Sequence, residues 1–276
     1  MLVLGRVSNL PTVWSNCTAA WLLGGGGSAW RLMVLCGSAT LLYTGGMFLN
    51  DAFDANFDRE HRRERPIPSG RIEERTVRML GNTFLAAGLL LTFLLGLKCG
   101  AFGTALVACI VIYDAVHKRF VLSPLLMGGC RFLLYLTAAS AAGGNVEGAV
   151  VWGALVMMAY IVGLSCLARG ESVGGVASRW PIALLLTPVA LALIRCATDC
   201  AATWTAAAIL SGWLLWNVRG ALSNPNQNLS GSVPGLLAGI ALVDWLAVAG
   251  IWPITGPLFV ALFAFALVLQ RIAPAT

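Results

Sequence analysis

A chain of 276 residues with 58% hydrophobic and 11% charged side chains is too apolar for a water-soluble domain, where about a quarter of residues are charged. Apolar runs recur along nearly the whole length and the period-2 alternation of a membrane barrel is missing, so the expected fold class is all-α, a polytopic membrane helical bundle. The formal charge of +6 comes without a soluble basic domain or interleaved aromatics, which argues against nucleic acid as a partner.

The N-terminus carries Arg6 and then Leu10-Pro11-Thr12, unlike a cleavable signal, so the first apolar run is expected to stay as a span. Runs at 10–27 and 29–49 make the first two spans, joined through Gly24 to Gly27. The Gly-rich end marks the first as tilted or partly irregular. A polar stretch from Asn50 to Arg71 follows, closed by Pro66-Ile67-Pro68-Ser69-Gly70, a stiff turn rather than more helix. Glu73 and Glu74 then open the third span, where negative charge complements a helix N-terminus. Further spans are expected at 76–97, 101–113, 123–142, 148–167, 180–196, 203–218, 233–251 and 254–271, the last two parted by Trp252-Pro253. The total is nine or ten spans in one integral domain over residues 1–276, with no soluble part.

Eleven of the 18 Lys and Arg residues fall in three loops, Arg59 to Arg78, His117 to Arg119 and Arg169 to Arg179. The positive-inside rule turns these loops to the cytoplasm, which implies a cytoplasmic-membrane protein with the Asp-rich stretch on the inner side. Each basic loop follows an even-numbered span. A four-helix unit used twice would set the Asp-rich stretch and the Arg169–Glu171 loop opposite each other across a central cavity. The eight cysteines are scattered without a zinc pattern; Cys196 and Cys200 flank a turn, where they either pair or pack as small hydrophobes.

Asp51, Asp54 and Asp58 are spaced three and then four residues apart, which stacks them on one face if the stretch is helical. Like charges so placed repel, and the arrangement needs a cation among them. Carboxylates suit Mg2+, which usually keeps waters and a substrate phosphate in its shell. An EF-hand reading fails, because Arg59 stands where that loop needs Gly and Arg65 where it needs Glu.

The string Asn50-Asp51-x-x-Asp54-x-x-x-Asp58, followed by Arg65-Pro66-Ile67-Pro68-Ser69-Gly70-Arg71, resembles the first aspartate motif and flanking loop of the UbiA superfamily of intramembrane prenyltransferases. The opening Leu10-Pro11-Thr12-Val13-Trp14-Ser15-Asn16 and the group Tyr113, Lys118 and Arg119 resemble that family too, and the likeness covers essentially the whole chain. It also resembles the UbiA-like branch called EboC. The resemblance implies about nine transmembrane helices around a central lateral cavity. It further implies an isoprenyl diphosphate bound with its head at the inner face, Mg2+ held by the aspartates, and transfer of the isoprenyl group to a lipophilic or aromatic acceptor amid membrane lipid. Residue by residue, Asp51, Asp54 and Asp58 carry over as metal ligands, the first two as catalytic groups as well. Asn50 ligates or orients through its amide oxygen. Lys118 and Arg119 carry over as diphosphate contacts, and Arg65 is the arginine that lies within the matched string.

The second half departs from the family pattern, in which a further pair of aspartates usually follows the sixth span. Here the loop reads Ser165-Cys166-Leu167-Ala168-Arg169-Gly170-Glu171-Ser172, leaving Glu171 as a metal ligand and Arg169 as a catalytic phosphate contact. The alternative reading is a UbiA-like protein that binds or carries an isoprenoid with little or no turnover. A divalent-cation transporter fits less well, since its ligands belong near the midplane. Arg131 and Asp244 are ionisable groups inside apolar runs, where such residues usually face a bundle interior or a cavity. Arg131 either reaches the diphosphate or snorkels to the interface, and Asp244 is expected to bridge helices. Tyr135 and Asn82 are expected to pack inside, and His61 and His117 to lie on the surface.

Overall fold

Each apolar run folds as helix, and one of them folds as two. The computed structural model describes residues 5–118, 120–143, 146–172, 180–195, 200–223 and 232–273. Among them the helices are α1 (Leu10–Leu23), α2 (Ala29–His61), α3 (Glu74–Leu95), α4 (Leu97–Val116), α5 (Ser123–Ala141), α6 (Gly148–Ser172), α7 (Trp180–Arg195), α8 (Ala201–Ser223), α9 (Val233–Ala238), α10 (Ile240–Val248) and α11 (Gly256–Ile272), with no strand. Among the described residues six helices are long and apolar enough to cross a membrane: α2 to α6, and α11 with the turn before it. Leu94, Leu97, Ile112, Val121, Leu215 and Ile254 are exposed on the outside, an apolar surface suited to lipid rather than water. The chain is an integral membrane protein.

The break between α9 and α10 falls at Gly239. Nearby backbone carbonyls are met by side chains: Tyr160 Oη donates to Leu236 O at 2.8 Å and Trp213 Nε1 to Gly235 O at 2.8 Å. Such replacement donors let a helix break inside a bilayer. The expected run at 233–251 is therefore one broken span.

Helix α2 organises the site. Its 33 residues make a rod of about 50 Å, against about 30 Å of hydrocarbon. Hydropathy ends the second span near residue 49, but the helix continues to His61 because no Pro or Gly interrupts residues 50–61. Its neighbour α3 approaches closely through small residues. A Cβ on Gly45 would lie 2.9 Å from Gly81 O, and Ser38 Oγ donates to Gly88 O at 2.7 Å. At the far end Arg31 donates to Leu95 O at 2.5 Å and to Ala141 O at 2.7 Å. It thereby satisfies the terminal carbonyls of α3 and α5 with a charge suited to helix C-termini. Beside it the turn after α1 runs through Gly25, Gly26 and Gly27 at φ +98, +72 and +140, conformations side chains rarely adopt.

The Pro66–Gly70 turn is anchored rather than floating. Ile67 is buried with Phe48, Ala52, Ala55 and Val77 in a small apolar cluster between α2 and α3. Ser69 N donates to Arg65 O at 2.9 Å and Arg71 N to Pro66 O at 3.1 Å. This anchoring fixes where Arg65 points.

Candidate active site at the end of α2

The three aspartates share one helix face, as the spacing predicts, and each is buried against its neighbours. Cations come to them from two loops. Arg65 Nη1 lies 3.0 Å from Asp58 Oδ2 and 3.3 Å from Asp51 Oδ1. Lys118 Nζ, just past α4, lies 2.8 Å from Asp54 Oδ1, and its ammonium also sits 3.8 Å from the centroid of the Phe57 ring, a favourable cation–π placement. Two of the predicted cations, Arg65 and Lys118, and all three predicted carboxylates are thus brought together.

Two further groups belong to the cluster. His117 Nε2 lies 3.5 Å from Asp54 Oδ1 with its side chain only 17% exposed. Burial pulls its pKa down, but the Asp54 carboxylate and the Asp114 carbonyl outweigh that and hold it above the usual histidine value. The expected surface placement of His117 is corrected: the last turn of α4 aims it inward, stacked on Tyr113 at 5.1 Å. Asp114 is 3% exposed and accepts Asn50 Nδ2 at 3.1 Å on Oδ1, so Asn50 spends its amide nitrogen orienting a second helix. Arg6 is held near the same face, its backbone at φ +40, and its charge acts on both Asp51 and Asp114.

The residues suit a hard divalent ion. Asp58 Oδ1 and Asp114 Oδ2 are buried without a hydrogen-bond partner among the described residues, and free carboxylate oxygens are what Mg2+ takes. Among the described residues no three acidic, His or Cys side chains converge closely enough to hold an ion alone. Arg65 bridges Asp51 and Asp58 while Lys118 takes Asp54, and the rest of a Mg2+ shell would fall to water and phosphate, its usual partners.

The other expected residues lie elsewhere. Arg169 Nη1 donates to Phe120 O at 2.9 Å, Val121 O at 3.0 Å and Ser123 Oγ at 2.9 Å. These bonds tie the end of α6 to the residues between α4 and α5 that follow Lys118. Glu171 lies on α6, with its side chain outside the described residues, as is Arg119. Arg131 neither snorkels nor reaches the aspartates. It is engaged inside the bundle, with Nη1 2.6 Å from Asn16 Oδ1. Asp244 bridges helices as expected, accepting from Ser15 Oγ at 2.5 Å, Asn16 Nδ2 at 2.7 Å and Tyr135 Oη. Cys196 lies outside the described residues.

Behind the aspartates a cavity of about 100 Å³ opens between α1, α2, α4 and α5. Its walls are mostly apolar, with Tyr43, Tyr113, Asp114 and Arg131 as polar members. Asp114 belongs to both cavity and cluster, so the acidic face begins where the cavity ends. A charged rim over an apolar chamber can hold an anionic head by its cations and a hydrocarbon by its walls.

The sequence pattern of the UbiA prenyltransferase family matches residues 9–218. The chain is 32% identical over 124 residues to digeranylgeranylglyceryl phosphate synthase of Sulfolobus acidocaldarius, covering 44% of this chain and 43% of that protein. It is 36% identical over 91 residues to 4-hydroxybenzoate octaprenyltransferase of Pectobacterium carotovorum, covering 31% of this chain and 32% of that protein. The matched segments thus span less than half the length of either relative. Among solved structures, a UbiA homolog from Aeropyrum pernix aligns with TM-score 0.71 at 16% identity, over 91% of this chain and 99% of that one. A UbiA homolog from Archaeoglobus fulgidus bound to DMAPP and Mg2+ aligns with TM-score 0.54 at 14% identity, over 98% of each chain.

Proposed function

The chain belongs to the UbiA prenyltransferase family, and from that premise we propose that it transfers an isoprenyl group from its diphosphate to a lipophilic or aromatic acceptor within the membrane, with Mg2+ as cofactor. The observation that carries this reading is the aspartate face of α2, flanked by Arg65 and Lys118 at the rim of an apolar cavity.

Asp51, Asp54 and Asp58 would hold the ion, with Glu171 contributing from the end of α6. Mg2+ so bound supplies Lewis acidity toward the leaving diphosphate. Lys118 and Arg65, which sit at the carboxylates, would contact the phosphate oxygens, and charge-assisted bonds to phosphate are strong. The allylic C–O bond then breaks with its electron pair leaving on the diphosphate, and the acceptor forms its new bond to the carbon while its own C–H or O–H bond gives up a proton. Apolar walls keep water from competing for that carbon. Arg169 acts through the loop it clamps, holding Lys118 in reach of Asp54. The basic loops that supply Arg65 and Lys118 support an inner-face orientation in a cytoplasmic membrane. Placement in the EboC-like branch rests on the sequence resemblance.

One observation favours a second reading. The end of α6 offers Glu171 where the family usually has two aspartates, which suits a non-catalytic carrier of an isoprenoid. Incubating the purified protein with Mg2+, farnesyl or geranylgeranyl diphosphate and a panel of acceptors separates the two. Pyrophosphate release abolished by Asp54→Asn supports transfer. Saturable diphosphate binding with no pyrophosphate released under any acceptor identifies the carrier.

A further inference from the structure

Among the described residues the buried acids are Asp51, Asp54, Asp58, Asp114 and Asp244. All but one are well met. Arg65 lies at Asp51 and Asp58, Lys118 lies at Asp54, and Asp244 accepts from Ser15, Asn16 and Tyr135. Asp114 is different. It is 3% exposed, and no Lys, Arg or His among the described residues lies within ion-pair distance of its carboxylate. The charges of Arg6 and His117 act on it through space. Its Oδ1 accepts one neutral donor, Asn50 Nδ2 at 3.1 Å, and its Oδ2 is buried without a partner among the described residues. A carboxylate so held is costly, and a cation relieves it.

The surroundings of Asp114 say which cation. It stands in the last turn of α4 and lines the cavity. Opposite it, Asn50 and Asp54 are one turn apart on α2 and share a face. Asp114 meets Asn50, while His117 and Lys118, three and four residues further on, meet Asp54. The ends of α2 and α4 thus run side by side, and Asp114 stands where the acidic face joins the cavity. Asp54 and Asp114 repel each other through space, and a divalent ion between them turns that repulsion into attraction. Arg65 and Lys118 already offset much of the charge on α2, so the acid that most lacks a cation is Asp114. Mg2+ usually takes one or two carboxylates and completes its shell with water and substrate phosphate. A single carboxylate from α4 meets that need.

We infer that Asp114 is a ligand of the divalent ion, so that the ion joins the end of α4 to the aspartate face of α2. Asn50 holds Oδ1 in place and leaves Oδ2 for the metal. The inference rests on the Mg2+-dependent reading of this site and deepens it by giving the ion a ligand from a second helix.

Mn2+ serves as the probe, titrated into the full chain in lipid nanodiscs with geranyl thiolodiphosphate present, and unbound Mn2+ is read by electron paramagnetic resonance. Asp114→Asn retains an acceptor for Asn50 and removes the charge. It is expected to weaken Mn2+ binding by roughly tenfold or more. In EDTA the same variant is expected to melt no lower than wild type, because a costly buried charge is gone. It should also lose most of the rise in midpoint that Mn2+ with the analogue confers on wild type. Mn2+ affinity within about twofold of wild type overturns the inference. A lower midpoint in EDTA, or failure of the variant to fold, overturns it too, since Asp114 then serves the packing of α2 on α4. Absence of Mn2+ binding by wild type overturns the metal reading of the whole site instead, so the two failures are distinct.

Discussion

Asp54 meets two cationic partners at once, the ammonium of Lys118 and the ring of His117. The second makes the metal-free site sensitive to pH. The Asp54 carboxylate holds the His117 pKa above the usual 6.5 against the opposing effect of burial. The folded protein therefore keeps this proton more tightly than the unfolded chain does. The resulting stability is fully present below about 6.5 and is lost as pH rises through the higher folded value. In EDTA, the thermal midpoint of wild type should fall across that window relative to His117→Gln, and parallel curves would contradict the pairing. The aspartates themselves were legible, because three- and four-residue spacing is a local signal of a shared helix face. Asp114 and His117 carried no such signal: Asp114 meets Asn50 across a separation of 64 residues, set by how α2 and α4 pack. Arg131 announced an interior role by its charge in an apolar run, but its direction depends on α1, which no neighbouring residue reveals.

At the scale of the helices, the site depends on how closely α2 lies to α3. An added Cβ on Gly45 would sit 2.9 Å from Gly81 O and 3.0 Å from Leu85 N, both backbone atoms that side-chain motion cannot relieve. Gly45→Ala should therefore cost about 1–3 kcal/mol and shift the aspartate face, read as a lower denaturation midpoint together with weaker diphosphate binding. Unchanged stability would show that the two helices separate freely. The Asp244 network plays the corresponding part for α1, α5 and α10. Asp244→Asn replaces an acceptor of three donated bonds by a group that itself donates, and should lower stability by about 3 kcal/mol. A chemical-denaturation series measures it, and a change under about 0.5 kcal/mol would contradict the bridging role. Hydropathy located all of these helices but not their true ends. The continuation of α2 past the apolar run follows from residues 50–61 holding no Pro or Gly, which hydropathy does not register, whereas the break of the ninth run at Gly239 turns on tertiary partners, Tyr160 and Trp213.

For the whole molecule, a long helix carries acid beyond the hydrocarbon, two loops return cations to that acid, and an apolar chamber opens beneath it. The fold class was legible from composition alone, since lipid leaves a chain this apolar only helices. The chamber was not, because apolar walls define its shape in three dimensions and no short motif encodes it. On the reading proposed above, what joins these parts is that the acid holds a divalent ion against a diphosphate head. Titration of geranyl thiolodiphosphate into the purified protein, with and without Mg2+ and in wild type and Asp54→Asn, tests that claim most directly. Binding should require Mg2+ and weaken at least tenfold in the variant, whereas equal affinity with EDTA, or in Asp54→Asn, would contradict it.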